Sequence, residues 1–503
     1  MELSGQPIPL SQIAVVALDS ETVRVSPSAH ARIHASRAVI DRIVADDKVA
    51  YGVTTGFGKL ADVRVPRTDL RDLQLNLVRS HACGIGAPLC EPEVKAMMLL
   101  RANVLTLGFS GIRLQVIELL CEMINRGVIP VIPEKGSVGA SGDLAPLAHL
   151  SLSVVGEGEV FFEGKRMASV EALRRVGLEP VELAAKEGLA LLNGTQGMHG
   201  VGALALFRAK RLVRVADVAG AMTLEGLKDT PAAFDSRLQD ARPHPGQKAA
   251  AAHLLRLLEG SEIRESHREN DPRVQDAYSI RCMPQVHGAV RGALEHCEQI
   301  LLIESASATD NPLVFPESGD VVSGGNFHGA PLALALDYAG IAVTDLMTIS
   351  ERRIDRMVNP DKSEGLPAFL ARNPGLESGF MIPHVAAASL LNEARVLAHP
   401  ASIDNVSTSG GKEDHVSMGM TCALKLRSIV ELAENSIAIE LLAGAEALEH
   451  RRPLKAGTGV ERAHAAVREI APPLTRDRPL SSDIARVAEA IRAGKFDSPH
   501  EIL

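Results

Sequence analysis

Tryptophan is absent from this 503-residue chain, tyrosine occurs three times, and aromatic residues make up only 3%. No basic run interleaved with aromatics occurs, and the formal net charge is −9. A nucleic-acid partner would need a cationic field and stacking side chains, so that class is excluded. Cysteine is sparse too: Cys83, Cys90, Cys121, Cys282, Cys297 and Cys422 are scattered, with no CxxC pair or His/Cys ligand spacing. They read as reduced core thiols, and no metal is expected. The opening Met1-Glu2-Leu3-Ser4-Gly5 has neither the basic nor the apolar region of a secretory signal, so the cytoplasm is the expected location. Gly188 to Phe207 runs without a formal charge for about 20 residues, the length of a membrane span. Asn193, Thr195, Gln196 and His199 in its interior would go unsatisfied in a bilayer. A buried, ligand-facing turn and no membrane partner are expected instead.

What is present is apolar bulk, 46% of the residues, enough for a large core. The first part of the chain mixes short apolar segments with turn signals, and the rest carries long helical stripes. The expected fold is mainly α, with an N-terminal domain over 1–195 and a helical bundle over 196–503 that ends in a peripheral cap from Pro453 onward. Leu332, Leu336, Ala339, Val343, Leu346 and Ile354 form one stripe; Leu426, Ile429, Ala433, Ile437 and Leu441 form another. Ser110 is expected to cap a helix whose inward face is Ile112, Val116, Leu119 and Met123, stopped by Gly127 with Pro130 and Pro133. Val155 to Met167 reads as a hairpin turning at Glu163-Gly164.

The chemistry concentrates in residues 136 to 149, Gly-Ser-Val-Gly-Ala-Ser-Gly-Asp-Leu-Ala-Pro-Leu-Ala-His. A nucleophile elbow would need glycine two places after Ser141, where Asp143 stands. No Gly-Lys-Ser/Thr follows to make a phosphate loop. The order of residues allows another outcome: the Gly142 nitrogen attacks the Ala140 carbonyl carbon, closing a five-membered ring, and Ser141 loses its hydroxyl as water. The exocyclic methylene left behind is a carbon electrophile. Glycine suits the attack because no Cβ blocks the approach.

Gly136 to His149 resembles the signature of the aromatic amino-acid ammonia-lyases. Further blocks in the same order do so too: Tyr51-Gly-Val-Thr-Thr-Gly-Phe-Gly58, Asn193-Gly-Thr-Gln-Gly197, Gln275-Asp-Ala-Tyr-Ser-Ile-Arg281, Thr309-Asp-Asn-Pro312 and Glu413-Asp-His-Val-Ser-Met418. The resemblance implies a 4-methylidene-imidazol-5-one (MIO) group formed from Ala140, Ser141 and Gly142, with no diffusible cofactor. It implies Tyr51, on a mobile loop, as the base that takes the β-proton, and Tyr278 beside the electrophile. Arg281 would grip the substrate carboxylate through its bidentate fork. Asn193, Gln275 and Asn311 would supply directional hydrogen bonds, and Phe327 would line the pocket. Asp143 would assist dehydration, or cap the helix expected to begin at Leu144, or do both. The resemblance also implies a homotetramer whose active sites draw on more than one subunit.

Within that family the histidine-specific members are similar to this chain at Ser80-His81 and Glu413. A carboxylate and an imidazole suit a substrate ring with two nitrogens, and a phenyl ring would leave both unpaired. L-Histidine, converted to trans-urocanate and ammonia, is the expected substrate. Tyrosine- or phenylalanine-specific lyases and aminomutases are the alternative, and a non-catalytic helical scaffold is the bland one. Lys412, Gly410-Gly411 and Ala306 stand where the family commonly has Gln, Ala-Asn and Asn.

Overall fold

Helices dominate, as the 3.6-residue stripes require. The computed structural model describes residues 1–269 and 271–497. Both stripes are core: the first lies on helix Ala330–Val358 and the second on helix Gly419–Glu449, and each of their named residues is buried. Helix Ala330–Val358 is long and apolar enough to cross a membrane, but 72% of its most apolar window is buried within the protein, as in a core helix.

The chain divides into two compact units, and neither is continuous in sequence. The first comprises Met1–Phe207, Cys297–Asp337 and Pro400–Leu424; the second comprises Arg208–His296, Tyr338–His399 and Lys425–Leu503. Stretches after residue 195 thus return to the first unit, and they include the segments bearing Asn311, Phe327 and Glu413.

Among the described residues every strand belongs to the first unit. The expected hairpin is present: Glu159–Phe162 pairs antiparallel with Lys165–Ala168, and Phe162 lies opposite Lys165. Glu163 and Gly164 both have positive φ, +50° and +70°, the conformation a two-residue turn needs to match the strand twist. Ile129–Pro130 adds a third strand against Glu159–Phe162. The helix after Ser110 is Leu114–Asn125, and its N-cap is Arg113 rather than Ser110. Gly111, at φ +65°, breaks the chain between them, and its carbonyl accepts a hydrogen bond from Arg37. Val116, Leu119 and Met123 face inward as the spacing predicts.

Gly188 to Phe207 is buried but largely helical. Helix Glu187–Leu192 ends at Asn193, and helix Gln196–Gly226 begins three residues later, so the ligand-facing turn is only the link between them. The cysteines are less uniform than expected. Cys121, Cys297 and Cys422 are buried, whereas Cys83 and Cys90 are exposed because they stand at helix ends: Cys83 follows Leu70–His81, and Cys90 precedes Glu91–Leu105.

The second unit is built on helices, and its interior is polar as well as apolar. Asp217 accepts from His253 Nδ1 at 2.7 Å, His287 Nδ1 at 2.6 Å and Arg291 Nη2 at 2.6 Å. Glu440 accepts from Arg353 Nε and Ser350 Oγ, each at 2.5 Å. Charges buried this deeply persist because each is paired. The tail from Pro453 forms two further helices, Thr458–Ile470 and Ser481–Arg492.

Candidate active site

In the first unit the turn containing Ser141 opens onto a cavity of about 520 Å³, a size suited to a small-molecule ligand. Tyr51, His81, Asn193, Asn311, Phe327 and Glu413 line it together with Ser141. Seven of the residues singled out from the sequence therefore converge, from parts of the chain as far apart as 51 and 413.

The turn is fixed by its glycines. Gly142 has φ +73°, and a Cβ there would fall 2.2 Å from the Gly194 carbonyl oxygen. Gly142 and Gly194 form an isolated parallel bridge, and Asp143 N donates to Gly194 O at 2.7 Å. Only glycine tolerates both the positive φ and this approach. Gly139 is held on the other side, where its carbonyl accepts from Ser417 Oγ at 3.0 Å and from Gly329 N at 3.1 Å.

Ser141 is gripped at two atoms. Its hydroxyl donates to Glu413 Oε1 at 2.5 Å, and its carbonyl accepts from Asn193 Nδ2 at 2.7 Å. The other Glu413 oxygen accepts from Thr408 Oγ1 at 2.6 Å. Burial would raise the Glu413 carboxyl, but hydrogen bonds from Ser141, Thr408 and Ser409 and the nearby His81 outweigh it and hold the carboxyl below the usual range. His81 is shifted down mainly by burial, against its bond to Leu77 and the attraction of Glu413. Its Nδ1 lies 2.9 Å from the Leu77 carbonyl and must donate there, so Nε2 is the ring atom left for a ligand.

Asp143 is fully buried and precedes helix Leu144–Val154, but makes no side-chain bond to that helix's first turn. Its carboxylate instead accepts from Met198 N at 2.6 Å and Ser137 Oγ at 2.8 Å, so it serves the free amides at the start of Gln196–Gly226. Burial pushes it up to about 6 despite these bonds. Tyr51 OH accepts from Gly58 N at 3.3 Å, and its ring meets Phe57 edge-on. Asn311 precedes a cis peptide to Pro312, and its Oδ1 accepts from Gly324 N at 2.8 Å.

Gln275, Tyr278 and Arg281 are not among the residues lining this cavity. They belong to the second unit, where Tyr278 is 70% exposed and the Arg281 guanidinium stacks on its ring at 4.6 Å. Sequence reasoning also missed lining residues. Leu73, Asn76 and Leu77, with the Ser80 already singled out beside His81, precede that histidine on helix Leu70–His81. Their i, i+3, i+4, i+7 spacing is one helix face, a signal readable once His81 is placed at the pocket. Thr408 and Ser409, which hold Glu413, had no such signal. Gly410 and Gly411, where the family commonly has Ala-Asn, have φ +62° and +85° and shape this turn.

The aromatic amino acid lyase family pattern matches residues 8–469. The chain is 54% identical to the histidine ammonia-lyase of Koribacter versatilis (strain Ellin345), over 99% of this chain and 98% of that protein. Among solved structures it is similar to histidine ammonia-lyase from Trypanosoma cruzi, with TM-score 0.91 and 44% identity over 98% of this chain and 94% of that one. It is also similar to tyrosine aminomutase from Streptomyces globisporus, with TM-score 0.94 and 37% identity over 99% and 97% of the two chains. The chain belongs to the aromatic amino acid lyase family. It is a carbon–nitrogen lyase by that membership.

Proposed function

We propose that this chain eliminates ammonia from L-histidine to give trans-urocanate, using an electrophile formed from Ala140, Ser141 and Gly142. The observation that carries this reading is Ser141 at the cavity wall, with its hydroxyl on Glu413 and its carbonyl on Asn193. The turn fits cyclisation. Gly142 brings its backbone where no Cβ could go, and Ala140 and Asp143 beside it are buried. Once formed, the MIO group supplies a carbon electrophile that captures the substrate.

The chain's own side chains do the rest. Tyr51, on the cavity wall, takes the β-proton. Asn193 and Asn311 orient the reacting groups, and Phe327 closes one side. Glu413 and His81 Nε2 read the two ring nitrogens, which favours histidine over a phenyl substrate. Asp143, committed to Met198 and Ser137, assists dehydration by fixing the turn. Arg281 grips the carboxylate, with Gln275 and Tyr278, and these three come from another copy of the chain in a homotetramer. Gln275 and Tyr278 are exposed in the single chain, and the half-buried Arg281 stacks on the Tyr278 ring, which supports that assignment. So do the apolar side chains Ile382, Val385 and Val396, exposed on helix Met381–Leu397.

Intact mass tests the electrophile. Ring closure and serine dehydration each expel one water, so the purified protein is expected to weigh two waters less than its sequence. A difference spectrum against Ser141→Ala should show the conjugated ring over the low background of a chain without tryptophan. An unchanged mass with a flat difference spectrum would refute it. A panel of histidine, tyrosine and phenylalanine tests the substrate, and preference for tyrosine would move the chain to the aminomutase-like reading.

A further inference from the structure

Beneath the cavity, the turn that presents Asn193 is tied to Thr309-Asp310-Asn311 on both of its sides. Upstream, Lys186 immediately precedes helix Glu187–Leu192, and its ammonium donates to Asp310 Oδ2 at 2.6 Å. Both side chains are fully buried. Lys186 holds this position from φ +75°, the left-handed region that residues with a Cβ avoid. Downstream, Gln196 Nε2 donates to Thr309 Oγ1 at 2.9 Å, and Gln196 Oε1 accepts from Arg101 Nη1 at 2.8 Å. Arg101, also fully buried, donates its other terminal nitrogen to Ala190 O on the helix between the two ties. The second oxygen of Asp310 accepts the N–H of Asn311 itself at 2.7 Å.

Lys186 thus pairs with Asp310 directly, and the buried Arg101 is attracted to the same carboxylate through space. Burial draws Arg101 down to about 10, which leaves it charged at neutral pH, with Asp310 opposing the shift. Burial lowers Lys186 as well, again against Asp310. A pair buried this completely adds little stability over apolar residues of the same size. Its consequence is geometric, because it fixes the distance between the two chain segments that carry Asn193 and Asn311.

We propose that Lys186 and Asp310 are positioning residues of this active site, setting the register of Asn193 against Asn311 at the Ser141 turn. This rests on the ammonia-lyase reading of the cavity. An error of about 1 Å in a positioning contact is enough to cost on the order of a hundredfold in rate.

Lys186→Met tests it, since methionine keeps the aliphatic length and leaves Asp310 balanced in charge by Arg101. The variant is expected to fold, to lower kcat for histidine roughly 10- to 100-fold, and to shift KM by less than about threefold. Intact mass should show a smaller fraction of chains that have lost both waters, because Asn193 holds the Ser141 carbonyl. The decisive measurement is the cost of Lys186→Met in Asn193→Ala and Asn311→Ala backgrounds. If Lys186 acts through these amides, its cost shrinks to within about threefold in at least one of them. Equal cost in the wild type and both backgrounds would overturn the proposal. If Lys186→Met does not fold, Lys186→Gln, still able to donate to Asp310 from a shorter chain, gives the same cycle. A wild type that has lost no water would instead overturn the reading of the site, so the two failures are distinguishable.

Discussion

Glu413 touches Ser141 and Thr408 at once, so its substitution affects two functions that must be measured separately. Glu413→Gln is expected to lose a charge-assisted hydrogen bond of about 1.5 to 3 kcal/mol, or roughly 10- to 150-fold in kcat/KM for histidine. Intact mass shows whether the electrophile still forms; a full two-water loss with the lowered kcat/KM assigns the effect to the substrate ring. Unchanged histidine turnover would remove Glu413 from that role. His199 offers a test of stability. It is fully buried, and neither ring nitrogen has a hydrogen-bond partner. Burial depresses it to about 3, whereas in the unfolded chain it titrates near 6.5. A depressed folded pKa contributes stability above 6.5 that is lost as the pH falls toward 3. Asp143, raised to about 6, acts oppositely: its protonated form favours the fold below about 4, and that advantage is lost as the pH rises through 6. Only a difference between variants isolates one group. His199→Met is expected to be neutral or stabilising at pH 8 and to gain a further ~2 kcal/mol at pH 5. Equal shifts in denaturant midpoint at the two pH values would contradict this.

At the scale of elements, two turns make opposite demands on glycine. Gly164 in the hairpin has φ +70° and open space around the position of a Cβ, so Gly164→Ala meets only backbone strain, about 1 kcal/mol. Gly142 has a similar φ, but its Cβ would strike the Gly194 backbone. Gly142→Ala is therefore expected to keep the encoded mass, with no water lost, while Gly164→Ala loses two waters and turns over normally. Two-water loss in Gly142→Ala would show that the close approach is not required. The hairpin was legible because Glu163-Gly164 sits between alternating residues, and the stripes because a helix buries one face in a fixed period. Ser110 misled because capping residues also serve turns, and here Gly111 breaks the chain before the helix starts. The convergence on Ser141 was legible from the ordered family blocks. Thr408, Ser409 and the Lys186–Asp310 tie were not, since a buried ion pair between residues 124 positions apart leaves no local pattern.

At the scale of the whole molecule, the cavity residues all come from the first unit, and Gln275, Tyr278 and Arg281 from the second. If those three serve a neighbouring copy, each site combines side chains from different subunits, and symmetry makes every site equivalent. Two inactive variants should then complement each other. Ser141→Ala cannot form the electrophile, and Arg281→Ala cannot hold the carboxylate, so each alone is expected to be nearly silent. In a mixed assembly, a site built from the intact Ser141 of one chain and the intact Arg281 of another is whole. Random equal mixing gives about a quarter of sites in that state, hence about a quarter of wild-type activity. Mixing must occur during co-expression or refolding, because assembled oligomers exchange slowly when their interfaces are large and apolar. Size-exclusion chromatography of the same samples should give the mass of four chains. Co-expressed variants no more active than either parent, at that same mass, would mean that Arg281 serves its own chain's site.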